Sequence, residues 1–211
     1  MIKAIIFDFW GTVVENGTYS PLRQSYSILR PRMPFNNFVP IFEQAFMTQE
    51  FKEQADGFKA VCEALDVPAK PFVIDKLIGT WNKNRVFAKL FPETIEVLET
   101  LKKKHKLVLV SNCDNFTTQV IEKFELGKYF DAIVLSYKEG KLKTEGLFDC
   151  AVEELGVKKT DILVVGDSLE TDVAGAEKAG LKAVLVDRKG RREHPQKIPT
   201  LKELPAYVEE L

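Results

Sequence analysis

The chain has 211 residues, 45% of them hydrophobic and 29% charged, which is an ordinary composition for a globular protein with one sizeable core. Its formal net charge of −1 argues against a general nucleic-acid binder, because such proteins need a basic surface to neutralise phosphates. No apolar run has the length of a membrane span, and Cys62, Cys113 and Cys150 lack paired spacing, so we expect a reduced, cytoplasmic protein.

The first predicted strand is an apolar run, Ala4–Phe7, that leads directly into Asp8. Runs of branched and aromatic residues are typical of parallel strands that are buried on both faces. Asp8 would then lie at the carboxyl end of the strand, where open α/β sheets bind ligands. Gly11 permits a sharp turn after it, and Thr12 brings a hydroxyl close to the acid. Taken alone, Asp8 is explained equally well as an acid that opens a turn.

Residues 15–87 are predicted to be entirely helical. A helix is predicted over Pro21–Leu29. Apolar residues recur at helical spacing over Phe35–Met47, and the helical pattern resumes near Phe58 and again after Pro71. We therefore divide the chain into an α/β core of residues 1–14 and 88–211 and an inserted helical domain of residues 15–87.

From residue 88 onward, apolar runs alternate with helical patterns. Strands are predicted at 106–110, 132–135, 162–165 and 183–187, with a helix at about 116–124, another at 145–155 and a third opening at Asp172. Strands separated by helices imply parallel pairing with crossovers. The expected core is a Rossmann-like, parallel, five-stranded sheet with helices on both faces.

Polar residues end three of the predicted strands: Asp8, Ser111 and Asp167. Parallel strands bring these ends to one edge of the sheet, and Asp172 and Lys143 belong to loops at the same edge. Clustered carboxylates repel one another unless a positive charge balances them. Lys143 is one candidate, and a hard divalent cation such as Mg²⁺, which prefers oxygen ligands, is the other.

Four stretches resemble, in order, the motifs of haloacid dehalogenase-superfamily hydrolases. They are Asp8-Phe9-Trp10-Gly11-Thr12-Val13, Val110-Ser111-Asn112, Ser136 through Gly140 to Lys143, and Gly166-Asp167-Ser168 with Asp172. Each stretch is weak evidence alone, but four in order at strand ends are specific. The helical segment lies where many members of the superfamily carry a cap domain.

The resemblance implies catalytic roles for Asp8, Ser111 and Lys143 and substrate binding by Ser111, Asn112 and Lys143, while the fourth catalytic position is occupied by Trp10. Asp8 would be the nucleophile that attacks a phosphoryl group and forms an aspartyl-phosphate, which water then hydrolyses. Ser111 and the amide of Asn112 would hold phosphoryl oxygens. Lys143 would neutralise charge on both Asp8 and the phosphate.

The resemblance also implies a Mg²⁺ site. Its ligands would be Asp8, Asp167 and the backbone carbonyl of Trp10, with Asp172 as a further ligand or as the partner of a metal-bound water. The cation would screen the nucleophile from the phosphate.

Trp10 departs from the pattern of the phosphatases in this superfamily, which usually carry a second Asp at this position. An indole has no proton that titrates in the useful range, so acid–base catalysis by this side chain is lost. Three hypotheses remain: a Mg²⁺-dependent phosphatase acting on a small phosphorylated metabolite, a 2-haloacid dehalogenase that uses Asp8 without a metal, and a weakly active or non-enzymatic binding protein. Because the dehalogenases generally replace the first acid of the fourth motif, the presence of both Asp167 and Asp172 favours the phosphatase.

The expected partner is a small-molecule substrate, either a phosphate ester or a 2-haloacid, rather than nucleic acid or a membrane. Arg23 and Arg85 of the helical segment are candidates for holding a substrate anion, although a surface or structural role explains each of them better. The oligomeric state is left open between monomer and homodimer.

Overall fold

A computed structural model describes residues 1–211 and contains one six-stranded sheet and one two-stranded ribbon. The strands are β1 Ala4–Asp8, β2 Val14–Glu15, β3 Lys89–Leu90, β4 Lys106–Ser111, β5 Ala132–Leu135, β6 Ile162–Gly166, β7 Lys182–Val186 and β8 Lys197–Ile198. The sheet has the order β5-β4-β1-β6-β7-β8, and every neighbouring pair is parallel. The predicted Rossmann-like α/β core is confirmed, but the prediction of five strands is wrong because β8 adds a sixth.

The sixth strand is only two residues long. It pairs with β7 at the edge of the sheet, with Lys197 opposite Leu185 and Ile198 opposite Val186. Its sequence contains no apolar run of strand length, so it is the free edge of β7 that makes this segment a strand.

Side chains of the central strands alternate between the two faces of the sheet. Ile5 and Phe7 belong to the largest buried cluster, whereas Ala4 and Ile6 belong to a second cluster on the opposite face. Because both faces are covered, β1 is apolar throughout instead of alternating with polar residues.

The helices are α1 Pro21–Leu29, α2 Phe35–Met47, α3 Gln54–Ala64, α4 Pro71–Phe87, α5 Thr94–Lys102, α6 Thr118–Lys123, α7 Ser136–Glu139, α8 Leu147–Leu155, α9 Ala174–Lys178 and α10 Leu204–Glu209. Helices α5, α6 and α10 pack on one face of the sheet, and α8 and α9 pack on the other. None of the helices combines the length and the apolar character that crossing a membrane requires.

Three predicted helices begin about two residues later than expected. The helix at 145–155 is α8, which begins at Leu147. The helix at 116–124 is the shorter α6, preceded by a single 3₁₀ turn, Asn115–Thr117. The helix expected to open at Asp172 begins at Ala174, because Leu169–Val173 form a π-helical turn. In that turn, the Ser168 carbonyl accepts from the backbone N–H groups of both Asp172 and Val173, each at 3.1 Å.

The four helices α1–α4 pack around an apolar cluster of their own, and we call residues 15–87 the helical insert. Aromatic rings form much of this cluster: Phe42 stacks on Trp81 with ring centroids 5.6 Å apart, and Phe46 stacks on Phe58 at 4.6 Å. The predicted bounds of α1 and α2 are confirmed.

A short ribbon forms where the helical insert leaves and rejoins the core. Strands β2 and β3 pair antiparallel there, with Val14 opposite Leu90 and Glu15 opposite Lys89. The sequence did not predict these two-residue strands. The division of the chain at residues 15 and 87 into separate domains stays a prediction.

The helical insert contacts the segments that follow β4 and β5. The Ser136 hydroxyl donates to the Met47 carbonyl at 2.6 Å, and the Phe51 N–H donates to Asn115 Oδ1 at 3.2 Å. These contacts place the insert at the carboxyl edge of the sheet, which is also the edge that carries the predicted site residues.

Candidate active site

Three predicted site residues meet at the carboxyl edge of the sheet. Asp8 ends β1, Ser111 ends β4, and Asp167 directly follows β6. Strands β4 and β6 lie on either side of β1, and the chain proceeds outward in opposite directions from them. The crevice at such a reversal of strand order is where open α/β sheets bind ligands.

The Asp8 carboxyl is held between a hydroxyl and an ammonium group. Thr12 Oγ1 donates to Asp8 Oδ2 at 2.8 Å, and Lys143 Nζ donates to Asp8 Oδ1. Only 7% of Asp8 is exposed. Burial raises the pKa of Asp8 to about 6, and Asp172 adds to this effect, while Lys143 and Thr12 oppose it. The positive charge of Lys143 therefore does not fully balance the negative charges of the carboxylates around Asp8.

Lys143 is shared between two carboxylates. Its side chain is 3% exposed, and Nζ lies 2.7 Å from Asp172 Oδ1 as well as in contact with Asp8. Burial alone would lower the pKa of Lys143, but the two carboxylates outweigh burial and raise it. Lys143 therefore stays charged across the whole physiological pH range.

Asp167 completes a cluster of three acids. One carboxylate oxygen from each of Asp8, Asp167 and Asp172 lies within 4.8 Å of the others. Burial, followed by Asp8 and Asp172, raises the pKa of Asp167 to about 7, and Arg192 opposes the rise from 3.9 Å away. The partly exposed Arg192 is the second cation near this cluster.

Two glycines make this close approach of the acids possible. Gly11 has a φ of +88°, and a Cβ there would lie 2.4 Å from Asp167 Oδ2. A Cβ at Gly166 would lie 2.2 Å from the Asp172 carboxyl carbon. Any side chain at either position would displace a carboxylate from the cluster.

The cluster fits a Mg²⁺ ion on the chemistry of its donors. Carboxylate and carbonyl oxygens are the ligands of a hard cation. Such a cation would also reduce the repulsion among the three carboxylates. Asp8, Asp167 and Asp172 could supply carboxylate oxygens. None of the backbone hydrogen bonds of the turn ends on the Trp10 carbonyl, which is therefore free to act as a further ligand.

The Trp10 indole contributes no ionisable group to the site. It is half-buried and packs on the core, with its ring centroid 4.9 Å from that of Phe9 in an edge-to-face arrangement. The residue two positions after Asp8 is thus an apolar packing residue.

Ser111 and Asn112 lie beside this cluster. Ser111 is buried, and its hydroxyl donates to the Asn112 carbonyl at 3.3 Å. The Asn112 side chain bridges two elements: Oδ1 accepts from the Lys143 N–H at 2.9 Å, and Nδ2 donates to Glu43 Oε2 at 3.0 Å. Asn112 therefore links the backbone at Lys143 to the helical insert.

The structure brings to this site one residue that the sequence did not single out, Glu43 of α2. It is 8% exposed, and burial raises its pKa to about 7, although the hydrogen bond from Asn112 and the charge of Lys143 oppose the rise. Glu43 is the only charged residue of α2, whose neighbouring residues include the buried Phe42 and Phe46. A lone acid within such an apolar helix was the signal available in the sequence.

The two arginines considered for a substrate anion have other partners. Arg85 Nη1 lies 3.2 Å from Asp114 Oδ1 in a buried ion pair between α4 and the loop after β4. The Arg23 guanidinium lies over the Phe35 ring, 4.3 Å from its centroid. Arg85 is thus a structural link between insert and core.

Comparison with known proteins gives a match over most of the chain. A family model described as haloacid dehalogenase-like hydrolase matches residues 2–180. The N-acylneuraminate-9-phosphatase of Mus musculus is 36% identical over 116 residues, which are 53% of this chain and 46% of that enzyme. The chain thus matches less than half the length of the mouse enzyme.

Two further proteins align along nearly their whole length. The glyceraldehyde 3-phosphate phosphatase of Methanothermobacter thermautotrophicus is 27% identical over 214 residues, which cover 93% of this chain and 92% of that enzyme. A crystal structure of a 2-haloacid dehalogenase from Pseudomonas syringae superposes with a TM-score of 0.68 at 21% identity, covering 100% of this chain and 99% of that one. The structural match concerns the fold alone and does not distinguish the two reactions.

Proposed function

Because the chain belongs to the haloacid dehalogenase-like hydrolases, we propose that it is a Mg²⁺-dependent phosphatase that hydrolyses a small phosphorylated metabolite through a phosphoryl-Asp8 intermediate. The observation that carries this proposal is the position of the buried Asp8, which touches Lys143 and lies within 4.8 Å of both Asp167 and Asp172. We also propose that the helical insert acts as a cap over this site.

In this function Asp8 attacks the phosphorus atom, and Thr12 and Lys143 hold its carboxylate in place. Lys143 also neutralises charge on the phosphoryl oxygens, which Ser111 and the Asn112 amide hold. A bound Mg²⁺ would lower the repulsion between the carboxylate and the phosphate dianion. The residues that would hold it are Asp8, Asp167, Asp172 and the carbonyl of Trp10.

The alternative is a metal-free 2-haloacid dehalogenase, and Trp10 is the feature in its favour. A dehalogenase that uses no metal has no cation to balance a cluster of three carboxylates. Such a cluster would repel its substrate, which is itself an anion. The cluster of Asp8, Asp167 and Asp172 supports the phosphatase, as do the names of the mouse and archaeal relatives. A weakly active binding protein would have no need to bury Lys143 between two acids.

Three free cysteines, Cys62, Cys113 and Cys150, fit a reducing location, and we propose that the protein acts in the cytoplasm. Its proposed partner is a small-molecule substrate, and we propose that it acts as a monomer or a homodimer.

The test is a substrate panel with Mg²⁺ and, separately, with EDTA. We expect hydrolysis of p-nitrophenyl phosphate and of small phosphorylated metabolites with Mg²⁺, loss of both activities in EDTA, and no release of chloride from 2-chloropropionate. Asp8→Asn should abolish the activity, whereas Asp75→Asn, on the exposed face of α4, should not. Chloride release in EDTA without any phosphatase activity would show that the chain is a dehalogenase.

A further inference from the structure

The proposed phosphatase lacks an evident source for one proton. When Asp8 displaces an alkoxide, the leaving oxygen needs a proton, and the water that later cleaves the aspartyl-phosphate must lose one. A positioned acid–base group contributes on the order of 10²–10⁴-fold to such steps. The Trp10 side chain cannot supply this group.

The remaining titratable groups of the site leave a single candidate. Asp8 is the nucleophile, Lys143 is paired with both Asp8 and Asp172, and the Asp167 and Asp172 carboxylates form the cation site. Two buried groups at the site are unassigned in the proposed mechanism, Glu43 and Cys113. Burial raises the pKa of the Cys113 thiol and keeps it protonated, so Glu43 is the candidate.

Glu43 approaches from the side on which the leaving group departs. The attacking and leaving oxygens of a phosphoryl transfer lie roughly in line through phosphorus. Asp8 attacks from the end of β1 in the core, so the leaving oxygen points away from the core and towards the helical insert. Glu43 belongs to α2 of the insert and reaches the site from that direction.

The Glu43 carboxyl has one oxygen held and one oxygen free. Oε2 accepts from Asn112 Nδ2 at 3.0 Å, and Asn112 in turn accepts from the backbone of Lys143. Oε1 accepts no hydrogen bond from the protein and is not a fully enclosed atom, so it can meet a substrate oxygen or a water. Asn112 thus fixes the carboxyl without occupying the oxygen that would exchange a proton.

We propose that Glu43, delivered by the helical insert, is the proton donor and acceptor of this site and takes the place of the acid that Trp10 removes. This inference rests on the proposed phosphatase function.

The proton transfers balance over one turnover. In the first step an Asp8 oxygen bonds to phosphorus, the bond from phosphorus to the ester oxygen breaks, and the Glu43 carboxylic acid protonates that oxygen to release an alcohol. In the second step a water oxygen bonds to phosphorus and gives its proton to the Glu43 carboxylate. The bond between phosphorus and Asp8 breaks, and inorganic phosphate leaves.

The environment of Glu43 suits both steps. Burial, with smaller contributions from Asp172 and Asp8, raises the pKa of Glu43 to about 7, against the opposing effects of Asn112 and Lys143. Lys143, Asp172 and Asp8 are the charged groups that shift the pKa of Glu43, and α2 itself carries no other charge. A group with a pKa near the working pH is available both as an acid and as a base.

A purely structural role, in which Glu43 only links the insert to Asn112, makes a different prediction for Glu43→Gln. The glutamine has the same shape, and its carbonyl oxygen can still accept from Asn112 Nδ2, so the link survives. Only proton exchange is lost.

The experiment compares an alkyl phosphate, glycerol 3-phosphate, with p-nitrophenyl phosphate, whose leaving group needs no proton. For Glu43→Gln we expect kcat on the alkyl ester to fall by on the order of 10²–10⁴-fold. With p-nitrophenyl phosphate we expect a burst of about one p-nitrophenolate per active site, followed by slow turnover, because hydrolysis of phosphoryl-Asp8 has lost its base. In the kcat–pH profile of the wild type we expect Glu43 to contribute a step near pH 7, and this step should be absent from Glu43→Gln.

Two further variants complete the test. Glu63→Gln, on the exposed surface of α3, is the matched control and should behave as the wild type. Adding Trp10→Asp to Glu43→Gln should restore part of the activity on the alkyl ester by returning an acid to the turn. If Glu43→Gln does not fold, Glu43→Asp, which keeps the acid but shortens it by one methylene, should show the same selective loss on the alkyl ester.

The outcomes separate this inference from the proposed function. The role of Glu43 is overturned if a folded Glu43→Gln hydrolyses the alkyl ester at the wild-type rate. It is also overturned if this variant shows no burst of p-nitrophenolate from p-nitrophenyl phosphate. A wild type that hydrolyses neither ester overturns the proposed phosphatase itself.

Discussion

Replacing Asp167 with asparagine should stabilise the metal-free protein and remove its response to Mg²⁺. In the folded chain the Asp167 carboxylate lies within 4.8 Å of carboxylate oxygens of Asp8 and Asp172, and burial and this repulsion raise its pKa from 3.8 to about 7. Above neutral pH the folded protein must hold this charge at a cost that the unfolded chain does not bear. Asparagine removes the charge and keeps the shape.

The size of the effect follows from the pKa and the exposure of the side chain. A rise in pKa from 3.8 to about 7 corresponds to about 4 kcal/mol at alkaline pH. The Asp167 side chain is 33% exposed, so solvent screens much of this, and we expect about 1–2 kcal/mol. For a protein of this size that is a rise of roughly 2–8 °C in melting temperature.

The pH dependence has a definite sign. Asp167 has a higher pKa in the folded protein than in the unfolded chain, so the wild type loses stability as pH rises from about 4 through about 7. The advantage of Asp167→Asn should therefore be largest at about pH 8 and should shrink as pH falls towards 4.

The assay is thermal unfolding in EDTA and in excess Mg²⁺, with Asp75→Asn on the exposed face of α4 as the control. Mg²⁺ present at about 100 times its Kd stabilises the folded state by about 2.7 kcal/mol, and only the wild type and the control should gain this. A lower melting temperature for Asp167→Asn in EDTA at pH 8, or an unchanged response to Mg²⁺, would refute the reasoning about the cluster.

Two further predictions concern the surroundings of the site. Arg85→Met should cost about 3–5 kcal/mol in urea unfolding, because it leaves the buried Asp114 without its cation; a loss below about 1 kcal/mol would mean that the pair does not hold the insert to the core. Gly11→Ala should abolish the stabilisation by Mg²⁺ and lower the melting temperature, since its Cβ would lie 2.4 Å from Asp167 Oδ2; an Ala variant that binds Mg²⁺ like the wild type would contradict the close packing of this turn.

Local sequence patterns predicted the parts of the fold that local interactions determine. The bounds of α2 followed from apolar residues at helical spacing, and the predicted bounds of α1 were also correct. The strand ends that carry Asp8 and Ser111 followed from apolar runs that stop at a polar residue. These signals lie within a few residues of the features they predict.

The features that the sequence missed depend on distant partners. The strands β2, β3 and β8 are two residues long, and each exists only because another strand lies beside it. The π-helical turn before α9 is an exception, because it depends on the neighbouring Ser168 carbonyl, which accepts from two successive N–H groups. No propensity within such short segments separates them from loops.

Glu43 was missed for a related reason. Asp8, Lys143, Asp167 and Asp172 could be grouped because parallel strands bring their carboxyl ends to one edge. No comparable rule predicts where the side chains of an inserted helical segment lie over that edge. Only the hydrogen bond from Asn112 reveals that Glu43 faces the cluster.

The hydrogen bond between Asn112 and Glu43 also connects the chemistry to the position of the helical insert. On the assignment of Glu43 as the proton carrier, the nucleophile belongs to the core and the acid belongs to the insert, so the two meet only when the insert contacts the loop after β4. An insert displaced from the core would leave phosphoryl-Asp8 without a base to activate water. Relatives that carry the acid two residues after the nucleophile hold both groups on one turn, whereas this chain would make hydrolysis depend on closure. The presence of Trp10 would then not by itself lower activity. It would make the rate of turnover depend on the position of the helical insert instead of on an acid in the turn after Asp8.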